Sequence, residues 1–198
     1  MFNLKNLFAR ALFAFMLVTG AGAAVAGPMY HVTIDTRDLT GSGVFDFLLY
    51  GDATSIGAAT ATLSNFSGDF GTGETYGDAS GGVGSTLVLD NVNGYAGLLQ
   101  AANLGGIFGF DLRFDVAPAG DSTILGIALY NTALDDYIGI QGNLAQFELV
   151  PGGAIGVSDD NALTRIDAVS EVPEPATLAS IMLGLTLMGS TLRARRKK

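Results

Sequence analysis

His31 is the only histidine of the chain, and histidine is the residue on which a nucleophilic triad or a multi-histidine zinc centre is built. Either site would have to be assembled around this one imidazole, so a histidine on a strand surface is the plainer expectation. Paired carboxylates can hydrolyse glycosidic bonds without histidine, and 19 acidic residues offer many pairs. Such catalysis also needs a substrate cleft, usually lined with aromatic rings, whereas the chain has no tryptophan and only 9% aromatic residues. No Gly-x-Ser-x-Gly elbow, phosphate-binding loop or dinucleotide fingerprint on a strand-to-helix turn is present. These residues point away from an enzyme and call for no cofactor.

Metal chemistry fares no better. The run Gly68 to Asp78 is glycine-rich and acidic, as calcium-binding turns are. Its spacing fits neither an EF-hand nor a repeated calcium β-roll, so a flexible surface loop is expected there. Asp135-Asp136 and Asp159-Asp160-Asn161 read as turn residues rather than ligands, and no metal site is expected. Asn65-Phe66-Ser67 matches a glycosylation sequon by chance. With no cysteine in the chain, packing alone must stabilise the fold; about 145 residues bury roughly two-thirds of their unfolded surface, which suffices.

Charge is sorted by region. Lys5 and Arg10 stand at the start, and Arg193, Arg195, Arg196, Lys197 and Lys198 at the end. Between them only Arg37, Arg113 and Arg165 face all 19 acidic residues, a balance of −16. That field repels polyanions, and nucleic-acid affinity comes largely from Lys and Arg displacing phosphate counterions. Nucleic-acid binding is excluded as a role.

The residues that carry these side chains lie on segments of period-two alternation broken by Gly, Asn and Asp turns. The clearest is Phe108 to Val116, where Phe108, Phe110, Leu112, Phe114 and Val116 share one face and Gly109, Asp111, Arg113 and Asp115 the other. Further strands are expected at Tyr30 to Asp35, Val44 to Tyr50, Thr60 to Phe66, Thr86 to Asp90, Ser122 to Tyr130, Tyr137 to Ile140, Leu144 to Val150 and Leu163 to Val169. Asn93-Gly94 is expected to form a tight turn, both residues tolerating positive φ. The pattern predicts an all-β domain over 27–170: an antiparallel, jelly-roll-like β-sandwich, with a closed barrel as the alternative.

Both ends read as targeting segments. Residues 1–26 have a signal peptide's basic start, an apolar stretch from Ala11 to Val18 and a small-residue site at Ala24-Val25-Ala26, with cleavage expected after Ala26. The partners this implies are the Sec translocon and signal peptidase. At the other end, Ala176 to Leu192 is 17 residues without a charge, roughly 25 Å of helix and just enough to cross a bilayer. The basic segment 193–198 follows and would remain on the cytoplasmic side, leaving the acidic domain outside. Before the apolar run stands Val172-Pro173-Glu174-Pro175, in residues 171–175, where two prolines flanking a glutamate oppose helix and strand alike and give an extended, accessible segment.

The order Pro173-Glu174-Pro175, apolar helix, Arg-rich end over 172–198 resembles the PEP-CTERM sorting signal of Gram-negative bacteria. The resemblance implies recognition and cleavage near this tetrad by exosortase, an integral-membrane enzyme, then transfer to the envelope or to an exopolysaccharide matrix, with biofilm as the setting. Asp35 to Gly41, Val44 to Phe47 and Ala59 to Phe66 also resemble an ectodomain that recurs ahead of this tail in many bacterial sequences; that resemblance implies the architecture and no activity. The expectation is a non-enzymatic envelope or matrix protein. The alternative is a permanently membrane-anchored surface module that binds glycan or a divalent cation through its acidic loops.

Overall fold

Local alternation makes strands, but partners far along the chain decide where they lie. The computed structural model describes residues 28–51 and 57–169, and these contain twelve strands and no helix. They are β1 (Met29–Asp35), β2 (Ser42–Gly51), β3 (Ala59–Ser67), β4 (Phe70–Gly77), β5 (Ala79–Ser80), β6 (Leu87–Asp90), β7 (Tyr95–Asn103), β8 (Ile107–Val116), β9 (Thr123–Tyr130), β10 (Asn143–Leu149), β11 (Ile155–Ser158) and β12 (Thr164–Val169). The expected segments 176–192 and 1–26, and with them Val172, Pro173, Glu174, Pro175, Ala24, Ala26 and the terminal basic residues, lie outside the described residues.

Two antiparallel six-stranded sheets result, in the orders β12-β1-β8-β3-β6-β5 and β11-β10-β9-β2-β7-β4. Successive strands from β1 to β4 fall alternately in the first and second sheet, and so do β6 to β9. Among the described residues no ladder joins the two sheets, so the closed barrel is set aside. Their inner faces share one core. Phe45 of β2 meets Phe108 of β8 edge-on at 5.0 Å, and Phe47 meets Phe110 at 5.5 Å. A second aromatic cluster joins Tyr30 and Phe114 of the first sheet to Phe147 of the second. Edge-to-face rings at such separations add to the area they bury.

The alternation in β8 is confirmed: Phe108, Phe110, Leu112 and Phe114 are buried while Arg113 and Asp115 are exposed. Gly94 takes φ 102° in a turn closed by its N–H donating to Asn91 O at 2.9 Å. That turn passes the chain from one sheet to the other rather than forming a hairpin.

Two expectations need correction, and β5, β7 and β11 add to the strands expected. Gly68 to Asp78 is not a loop: most of it is β4, paired with β7. Its side chains are mainly exposed, so the backbone ladder holds it, anchored at one end by Phe70 packing on Phe108 at 4.9 Å. Tyr137 to Ile140 is not a strand. Tyr137 forms an isolated bridge with Tyr130, after which Gly139 and Gly142 take positive φ and turn the chain away. The strand β7 was not expected at all, because Gly97, Leu99 and Ala101 on its outer face are as apolar as the residues between them, which erases the alternation.

Candidate functional site

The first and last strands of the domain are neighbours. β1 pairs with β12 in a register that sets Met29 opposite Val169, so the residue three places after Ala26 and the residue four before Pro173 lie side by side on one ladder. β12 is an edge strand. The domain's two ends thus leave it at one corner, and the Val172-Pro173-Glu174-Pro175 segment follows β12 directly in sequence.

His31 lies on the outer face of β1, in register with Asp111 of β8. Its Nδ1 lies 2.7 Å from Asp111 Oδ1, and an ionised carboxylate only accepts, so Nδ1 carries the proton. Asn65 Nδ2 donates to the other oxygen at 2.7 Å. The Ser67 hydroxyl donates to Gly109 O at 3.4 Å. The bond from Asn65, more than that from His31, holds the Asp111 carboxyl below the ordinary range. Its folded pKa is depressed, so its contribution to stability is complete above the unfolded value near pH 4 and is lost as the pH falls through the folded one. Asp111→Asn should flatten the acid limb of a melting-temperature profile below about pH 4. Equal acid limbs in the two proteins would refute this role.

The other acids found in the sequence close turns. Asp78 accepts from both the backbone N–H and the side-chain amide of Asn93, at 2.7 and 2.9 Å, tying the end of β4 to the turn before β7. Asn131 Nδ2 donates to Asp135 at 2.7 Å, and the Tyr137 N–H donates to Asp136 at 2.9 Å. Asp159 accepts from the Ile166 N–H at 3.2 Å, and Asn161 donates to Leu144 O at 2.7 Å. Among the described residues no three His, Asp or Glu side chains are grouped as a metal site. Arg37 and Arg165 form exposed pairs with Asp35 and Asp167, two residues away, and Arg37 holds the Asp35 carboxyl down at about 2.

One carboxylate the sequence reading passed over differs from these. Asp46 sits on β2, a central strand, and accepts from the Tyr76 hydroxyl at 2.6 Å. Burial raises its pKa, against the lowering effect of that bond. The signal was an acid at a mid-strand position between Phe45 and Phe47, where turn chemistry cannot account for it.

No curated protein and no solved structure matches the chain. A family model, the PEP-CTERM protein-sorting motif, matches residues 171–197. The C-terminal tail that follows β12 is therefore a PEP-CTERM sorting motif, which marks the chain as an exosortase-targeted protein of the cell envelope or surface.

Proposed function

We propose that this is a non-enzymatic envelope or matrix protein. It is exported through Sec, trimmed by signal peptidase after Ala26, and held in the inner membrane by the helix 176–192. Arg193, Arg195, Arg196, Lys197 and Lys198 stay inside, opposing translocation of the tail. Exosortase then cuts near Pro173-Glu174-Pro175 and passes the domain to the surface or to an exopolysaccharide matrix, where biofilm is the setting. The domain it displays is a jelly-roll-like β-sandwich, a reading supported by the shared core and by strands that alternate between the sheets.

The observation that carries this reading is the sorting motif over 171–197. The pairing of β1 with β12 supports it, because the domain keeps both ends at one corner and a cut beyond β12 removes none of its strands. Intact mass of the protein from membrane, medium and matrix fractions tests it, in wild-type cells and in cells lacking exosortase. A form ending near Pro175 only when exosortase is present is the expected result, and replacing Pro173, Glu174 and Pro175 by alanine should abolish it. If both strains retain Arg193 to Lys198 in the membrane, the chain is a permanently anchored protein and the proposal fails.

A further inference from the structure

Five of the six tyrosines, all but Tyr30, gather on or beside the outer face of the second sheet. Cross-strand register places them. Leu48 of β2 has Gly126 of β9 on one side, where the face stays open as part of a groove, and Gly97 of β7 on the other, where the Tyr76 ring lies over the backbone. Side chains from neighbouring strands lie over both glycines. A Cβ on Gly97 would collide with the Tyr76 ring, and one on Gly126 would lie 2.8 Å from the Asn143 amide. Tyr50 is in register with Tyr95, and the Tyr95 ring lies 6.3 Å from that of Tyr76. Tyr130 and Tyr137 stack at 4.6 Å with their hydroxyls 3.0 Å apart.

The result is a groove of about 300 Å³ whose walls include Asp46, Tyr50, Tyr130, Tyr137 and Asn143. Asp46 is partly buried there, and its one hydrogen bond among the described residues is to Oδ1, from Tyr76. It has no cationic partner among them. A partly buried carboxylate on a central strand, facing a groove and without a cationic partner among the described residues, is a candidate binding group.

We propose that this groove binds a neutral glycan, with tyrosine rings as the apolar platform for sugar faces and Asp46 and Asn143 bonding the hydroxyls. Rings with polar tips suit a ligand that is apolar on its faces and polar at its rim. The balance of −16 between the basic termini repels uronic or phosphorylated polymers, which favours neutral sugars over anionic ones. That the glycan is a matrix polysaccharide rests on the sorting reading above; the groove does not.

The full chain in zwitterionic detergent micelles, which contain neither protein nor sugar, should be titrated with cellohexaose, maltohexaose and chitohexaose, by calorimetry and by intrinsic fluorescence. With no tryptophan in the chain, tyrosine dominates the emission, and three of the six tyrosines, Tyr50, Tyr130 and Tyr137, line the groove. Saturable binding of at least one hexasaccharide is expected, weakened about tenfold in Tyr137→Ala, weakened also in Asp46→Asn, and unchanged in His31→Ala on the opposite sheet. Tyr50→Ala provides a second test at another wall residue of the groove, one that takes no part in the Tyr130–Tyr137 stack. No binding of any of the three, or binding indifferent to both tyrosine variants, overturns the proposal. So does tyrosine-dependent self-association in sedimentation, which would make the face a contact between two copies. Failure of sorting in cells would leave these titrations untouched.

Discussion

Phe110→Ala should lower the unfolding free energy by about 3–5 kcal/mol, the largest loss expected from a single core truncation. Phe110 is fully buried at the middle of β8. Its ring meets Phe47 of the opposite sheet at 5.5 Å and Phe66 at 5.7 Å, so the vacated space opens between the sheets, where rigid rings on both sides cannot collapse into it. A domain's whole stability is about 5–15 kcal/mol, and the truncation should take a melting temperature down by roughly 10–20 °C. Ile107→Ala is the contrast. Ile107 belongs to the same strand but is 48% exposed, and its truncation should stay within about 0.5 kcal/mol. Urea titration separates the two, since a lower midpoint at unchanged slope reports stability alone. A loss under about 1.5 kcal/mol for Phe110→Ala would mean the sheets close over the gap.

Asn91→Ala should cost nearly as much, about 2–4 kcal/mol, through hydrogen bonds rather than volume. The Asn91 side chain is buried at the end of β6. Its Oδ1 accepts from the Ala59 N–H at 2.9 Å, and its Nδ2 donates to Gly57 O at 2.9 Å and to Thr123 Oγ1 at 2.8 Å. Ala59 begins β3 in the first sheet and Thr123 begins β9 in the second, so one amide bridges the sheets at this end. Alanine leaves those partners buried without a replacement. Asn91→Asp is the sharper variant: an oxygen would face Gly57 O, and only a protonated acid could donate there. Its carboxyl would titrate above the ordinary range in the folded state, so the variant should be most stable in acid and lose stability as the pH rises. A flat difference from wild type across pH 3–7 would refute this reading of Asn91.

How far the fold was legible depended on what each side chain faced. In β1, β2, β3 and β8 one face is core and the other wet, and the alternation of residue types survives in the sequence. Around Gly68 to Asp78 it does not, because an edge strand with exposed side chains is held by its backbone, and backbone pairing leaves no trace in composition. Tyr95 to Asn103 escaped for the opposite reason, with apolar residues on both faces. Asn91 was readable only as a turn residue beside Asn93-Gly94, since its partners at 57, 59 and 123 lie more than thirty residues away.

The sequence alone determined what depends on short range. The sorting motif is a linear signal, so proline geometry, apolar length and terminal charge within 171–197 carry it without any fold. The excess of acid and the all-β class follow likewise from composition and period. Tertiary structure alone decided which strands are neighbours, and through them everything built across strands. The meeting of Met29 with Val169, and the flanking of Leu48 by Gly97 and Gly126, exist only once the register is set. The same register brings Tyr76 to Asp46. Register is a property of pairing between distant segments, where a shift of one residue would turn every side chain to the other face.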